Sequence, residues 1–173
     1  FMDDLIRQQE PGTGIQLGDL WIESFPTPHD AAGSVGYSIT GGGHRVVLCT
    51  DLGYVTDQVK QAVRGCDLLV CEANHDEDWV RSGPYPYHLK ARILGDQGHL
   101  SNDAAAEFAA RMAQCGTRCI ILAHLSRENN TPQRAWDTVQ QRLNTVEAEV
   151  LLEVAPRNEV SLPYGMEVPV CSE

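Results

Sequence analysis

Histidines and carboxylates close several apolar runs in this chain. Val46-Val47-Leu48-Cys49-Thr50 leads into Asp51, Leu68-Leu69-Val70-Cys71 leads into Glu72-Ala73-Asn74-His75-Asp76, and Ile120-Ile121-Leu122-Ala123 leads into His124. His29 follows the apolar, proline-containing Phe25-Pro26-Thr27-Pro28. Imidazole nitrogen and carboxylate oxygen suit Zn, Mn or Fe. A carboxylate such as Asp51 can bridge two ions while His29 and His124 fill outer positions. Two bridged ions acidify water and clamp the attacking and leaving oxygens of a displacement. Each residue also has an ordinary reading: His29 as a solvent-facing loop residue, Asp51 as a turn former, His124 as a satisfied core histidine. Their recurrence at the ends of separate apolar runs favours the metal reading.

Two further segments carry chemistry. Gly98-His99-Leu100-Ser101-Asn102 opens a helix, whose free N–H groups and positive dipole end suit an anion. His99, Ser101 and Asn102 are therefore candidate phosphate contacts. A plain helix cap with Leu100 as a hydrophobic staple accounts for Ser101 and Leu100, but not for His99. Glu72, His75 and Asp76 are placed to donate a proton or to support a ligand, with Asp76 equally suited to capping a helix. Ser126 lies two residues after His124, but no GxSxG surrounds any serine. No P-loop and no GxGxxG is present either, so a nucleotide-cofactor enzyme has no support.

Short aliphatic runs of this kind read as buried strands of an α/β sheet, and ligands sit beyond the carboxyl ends of such strands. Residues 1–13 are polar and read as the tail of a helix. Residues 14–25 read as a strand pair turning at Gly18-Asp19, and 36–50 as a hairpin around Gly41-Gly42-Gly43. Thr56 caps a helix that stops at Gly65, and a strand follows over 67–72. The stretch 74–100 reads as a long irregular loop around Gly83-Pro84-Tyr85-Pro86-Tyr87, of the kind that is usually functional. Ser101 caps a helix with Ala105, Phe108, Ala109 and Met112 on one face. A strand over 118–123, a helix from Thr131-Pro132 with Trp136, Val139 and Leu143 inward, and a last strand over 150–154 complete the pattern. The tail after Pro156 reads as irregular.

A chain of 173 residues suits one domain spanning 1–173. No apolar run is long enough to cross a bilayer, and no signal-peptide pattern is seen, which places the expected protein in the cytoplasm. The balance of 24 acids against 13 bases, net −11, excludes a general nucleic-acid-coating surface. It leaves room for a local metal-lined site that handles phosphates. The six cysteines include no CxxC pair and read as free core thiols in a reducing compartment.

Pro28-His29-Asp30-Ala31-Ala32, Val35-Gly36-Tyr37-Ser38 and Thr50-Asp51-Leu52-Gly53 resemble the later motifs of the metallo-β-lactamase fold. Five further segments narrow the match: residues 72–76, 83–86, 92–96, 98–102 and 123–132. With them the chain resembles the YycJ/WalJ branch of bacterial metallohydrolases, relatives of ribonuclease Z and PhnP-type phosphodiesterases. The resemblance covers nearly the whole chain. It implies an α/β, αββα sandwich with two divalent metal ions at its rim, Zn or Mn foremost and Fe third. His29, Asp51 and His124 match metal ligands, with Asp51 bridging. His99 resembles the histidine near the scissile phosphate, and His75 lies in the segment carrying the proton donor. Members are described as 5′-to-3′ exonucleases on DNA, acting through a metal-bridging hydroxide.

The family's His-x-His-x-Asp-His signature is absent from this sequence. The expectation is therefore an N-terminally truncated piece, the C-terminal portion of the fold, whose exposed sheet invites association into homo-oligomers. Three protein donors for two metals imply weak binding by the isolated chain. Two rivals remain at this point: a hydrolase of a small phosphodiester or thioester on the same fold, and a non-catalytic binding or regulatory module.

Overall fold

The computed structural model describes residues 8–161. They form one seven-stranded sheet in sequence order: β1 (Gly14–Leu17), β2 (Leu20–Pro26), β3 (Val35–Gly41), β4 (His44–Cys49), β5 (Leu68–Glu72), β6 (Cys119–Ala123) and β7 (Leu151–Val154). Strands β1 to β4 are antiparallel neighbours; β4 to β7 are parallel. The β3–β4 turn is Gly42-Gly43, both with positive φ (59° and 81°), as a tight two-residue hairpin requires.

The helices are α1 (Asp57–Val63), α2 (Glu77–Ser82), α3 (Tyr87–Ile93), α4 (Asn102–Gln114) and α5 (Pro132–Leu143). Right-handed crossovers between strands laid down in order put their connecting helices on one face. In register, Val47, Leu69, Ile120 and Leu152 line that face, as do Cys49, Cys71 and Leu122. They pack with Val59 and Val63 of α1, Phe108 and Met112 of α4, and Val139 and Leu143 of α5. Thr56, Asp76, Ser101 and Thr131 cap α1, α2, α4 and α5 by accepting backbone N–H bonds.

The opposite face is also apolar. Leu68, Cys119 and Ile121 form a small cluster there with Val46 and Val70. Around it Leu17, Leu20, Tyr37, Leu48 and Leu151 are exposed. An apolar area of this breadth is unusual on a free surface.

The stretch 74–100 is not one irregular loop: it holds α2 and α3. Helix α3 has no buried residue and no side-chain cap, so it leaves neither a core-facing stripe nor a cap signal in the sequence. The helix tail expected over 1–13 lies partly outside the described residues; residues 8–13 are not helical. The irregular tail is described only to residue 161. Cys49, Cys66, Cys71, Cys115 and Cys119 are free thiols, and Cys171 lies outside the described residues. Among the described residues no helix is long and apolar enough to cross a membrane.

Candidate metal centre

Strand β2 runs parallel to β4, because each is antiparallel to β3 between them. The carboxyl ends of β2, β4, β5 and β6 therefore share one edge of the sheet, and the chemistry gathers there. His29 follows β2, Asp51 follows β4, Glu72 ends β5, and His124 follows β6. His99 arrives from the loop before α4.

Asp51 Oδ1 is the meeting point. His29 Nε2 lies 3.7 Å from it, His124 Nε2 also 3.7 Å, and His99 Nδ1 3.9 Å. The rings of His29 and His99 are 4.8 Å apart, and those of His99 and His124 are 5.2 Å apart. The other ring nitrogens hold the tautomers. His29 Nδ1 donates to the Gly98 carbonyl at 2.8 Å, and His124 Nδ1 donates to Glu72 Oε1 at 2.7 Å. Each ring thus carries its proton on Nδ1 and turns an Nε2 lone pair toward Asp51, the arrangement by which metal-binding histidines are oriented.

Glu72 is fully buried and ties the loops together. Its Oε1 accepts from both His124 Nδ1 and His99 Nδ1, the latter at 2.8 Å. Its Oε2 accepts the Leu52 N–H at 3.0 Å and the Leu100 N–H at 3.4 Å. Burial alone would raise its pKa, but the bonds from His124, His99 and Leu52 outweigh burial and hold the carboxyl below its ordinary value. The bond to Glu72 correspondingly raises the His124 pKa.

Asp51 (φ 56°) and His124 (φ 57°) are the two non-glycine residues with positive φ among the described residues. Left-handed backbone at two such positions, both at strand ends in one site, is local strain of the kind found where side chains must be aimed. Buried asparagines brace the second turn. Asn74 Nδ2 donates to the His124 carbonyl at 2.7 Å, and the Asn74 carbonyl accepts Ser126 N–H at 2.8 Å. Asn130 Nδ2 donates to the carbonyls of Ala73 and Asn74. Both asparagines fall in segments that carry the family resemblance, but nothing in their local sequence marks either as a brace for this turn.

The donor set fits a divalent cation. Asp51, Glu72, His99 and His124 offer ligand atoms within 4.8 Å of one another. Ligands about 2.0–2.2 Å from a tetrahedral ion stand about 3.3–3.6 Å apart, close to the spacing around Asp51 Oδ1. Glu72 already accepts four N–H groups, and His29 Nε2 stands 3.7 Å from Asp51 Oδ1. Burial pushes the Cys49 thiol up to about 12 and the Cys71 thiol well above its ordinary value.

Three further sequence candidates lie inside the protein rather than on the open side of the cluster. His75 is 1% exposed, and neither ring nitrogen has a partner. It pairs with Ser101 in a strand-like bridge, and burial lowers its pKa. Ser101 is buried and its hydroxyl is used in capping α4, accepting the Ala104 N–H. Asn102 is 2% exposed and exchanges bonds with Asn130. The N–H groups of Asn102 and Ala105 are likewise taken, by the carbonyls of His75 and Ser101. Capping and the pairing with Asn130 thus occupy the side chains of Ser101 and Asn102.

Residues 4–125 match the Beta-lactamase superfamily domain. The chain belongs to this superfamily. It is 41% identical over 127 residues to exodeoxyribonuclease YycJ of Bacillus anthracis, across 73% of this chain and 48% of that protein. It is 42% identical over 134 residues to exodeoxyribonuclease WalJ of Streptococcus pneumoniae, across 78% of this chain and 50% of that protein. The chain spans about half the length of the curated relatives it matches. The metallo-beta-lactamase fold protein YhfI from Bacillus subtilis superposes with a TM-score of 0.62 at 18% identity, over 89% of this chain and 56% of that one. The superfamily member's α/β architecture is that of the metallo-β-lactamase fold, of which the described residues supply one sheet with its helical layer.

Proposed function

We propose that this superfamily member works in a metal-dependent phosphodiester hydrolase, specifically a DNA exonuclease, with His29, Asp51 and His124 as metal ligands and His99 as the group that moves a proton. The observation that carries the reading is the convergence of two imidazole Nε2 atoms on Asp51 Oδ1, with both Nδ1 protons fixed from behind. The names of the YycJ and WalJ relatives supply the substrate class.

Divalent cations, Zn or Mn, would neutralise phosphate charge and acidify water when bound by these residues. The chain's own side chains do the rest. Asp51 brings a full negative charge to the centre of the cluster. Glu72 keeps the proton of His99 on Nδ1, so the proton His99 can give a leaving oxygen is one carried on Nε2. His99 is only partly buried, and with His124 it borders an open cavity of about 340 Å³. The cavity gives a phosphodiester access to the side of the cluster that Glu72 does not occupy.

Asp51→Asn tests the ligand assignment. Asparagine tolerates left-handed backbone, so the fold is expected to survive. Metal content, measured by mass spectrometry on the chain after dialysis against zinc, is expected to fall to background. The intact protein carrying the substitution is expected to lose its exonuclease activity. Unchanged metal content and unchanged activity would refute the assignment.

A further inference from the structure

Helix α3 spends no residue on the core, yet Leu89 and Ile93 lie one turn apart on the same side of it. Both border the cavity of about 340 Å³ that also reaches His99 and His124. Tyr85 and Leu125 add further apolar surface to its lining. Tyr85 is half-buried and set between Pro84 and Pro86. A proline on each side restricts the backbone that carries it.

The lining is tied to the chemistry. The His99 N–H bonds the Ile93 carbonyl at 3.2 Å. A Cβ at Gly98 would lie 2.2 Å from the Arg92 carbonyl and 2.3 Å from that of Ile93, so the end of α3 rests directly on the backbone whose carbonyl orients His29. At the cavity's rim Arg92 is held by Asp30, which hydrogen-bonds both its Nε and its Nη2. Lys90 Nζ reaches back to the Arg81 carbonyl at 2.7 Å, joining α3 to α2. An aromatic and aliphatic wall at a fixed offset from phosphate-handling histidines matches a nucleoside: an apolar base face beside a charged phosphate.

We infer that Tyr85, with Leu89 and Ile93, receives the base of the terminal nucleotide of a DNA strand and so sets its phosphodiester against His99 and His124. The inference rests on the nuclease reading above. It makes Tyr85 a specificity-determining residue: the enzyme would grip an end by stacking rather than by reading base edges, which tolerates any sequence.

The test uses single-stranded hexanucleotides with 2-aminopurine at one terminus, at the other, or internally, titrated with the chain in EDTA so that no cleavage intervenes. One terminal position is expected to be quenched on binding. Base–aromatic stacking sets the expected weakening in Tyr85→Ala at about 5- to 160-fold, with the quench lost, and Tyr85→Phe restores both. A hexanucleotide abasic at that terminus is expected to bind wild type and Tyr85→Ala equally. Equal binding of the intact hexanucleotide by wild type and Tyr85→Ala overturns the inference, as does an equal loss on the abasic one, which would mark Tyr85 as merely structural. The underlying reading is tested separately. If the metal-loaded intact protein degrades DNA and Tyr85→Ala degrades it equally well, only the stacking inference falls; if wild type cleaves no nucleic acid, both fall.

Discussion

Glu72→Gln isolates the role of the buried carboxylate. One oxygen of Glu72 accepts two imidazole N–H groups at 2.7 and 2.8 Å, and the other accepts two backbone N–H groups at 3.0 and 3.4 Å. An amide has a single oxygen. If its NH₂ faces the backbone side, the Leu52 and Leu100 N–H groups lose their acceptor. If it faces the imidazoles, His99 and His124 must shift their protons to Nε2, and His124 then points N–H at Asp51 where a cation should be. A buried donor left without a partner costs about 1–3 kcal/mol, so a loss of about 2–4 kcal/mol is expected by urea denaturation in EDTA. Loss of an orienting partner lowers metal affinity about 10- to 100-fold, which competition against a zinc-binding dye will read. Glu72→Asp, which keeps the charge but retracts it, should fall between the two. Wild-type zinc affinity in Glu72→Gln, within about threefold of the parent, would refute the claim that this carboxylate sets the tautomers.

Two further outcomes are expected. In Gly53→Ala the new Cβ would lie 2.3 Å from the backbone carbonyl of Asp96, displacing the loop that delivers Gly98 to His29. A destabilisation of about 1–3 kcal/mol is expected, with weaker zinc binding; full zinc affinity would show that loop 95–98 is not needed to aim His29. His75 is buried neutral with a lowered pKa. Below its ordinary value of 6.5 the unfolded chain therefore binds a proton that the folded chain resists, and stability falls as pH drops through that range. The slope from this one group is at most about 1.4 kcal/mol per pH unit. His75→Leu removes two unpartnered nitrogens, so denaturation curves from pH 8 to pH 5 should show a shallower acid-side decline; parallel declines would refute the assignment.

The sheet and the residues gathered at its edge are legible for one reason: aliphatic runs that stop at a histidine or carboxylate mark both the strand and the edge where it ends. Asp51, His124 and His29 were all found that way, and Glu72 was singled out as a candidate partner. What escaped depended on three-dimensional burial. His75 and Glu72 sit three residues apart in one polar segment, and nothing local distinguishes the imidazole turned into the protein from the carboxylate that orients a site. Ser101 and Asn102 have the residue types of an anion site, but capping and a pairing with Asn130 consume them. Helices α2 and α3 are hard to read because both are short, Pro84 and Pro86 lie between them, and α3 buries nothing.

The left-handed backbone at Asp51 and His124 also bears on how such a site can decay over evolutionary time. Both positions restrict which replacements the fold tolerates, and asparagine is among the few that accept that conformation. A single-base change converts an aspartate codon, or a histidine codon, to asparagine. The mutations that most easily erase the chemistry are thus also those that least disturb the architecture. A lineage on this scaffold can lose catalysis while remaining folded, and inactive descendants are then to be recognised by asparagine at these two turns.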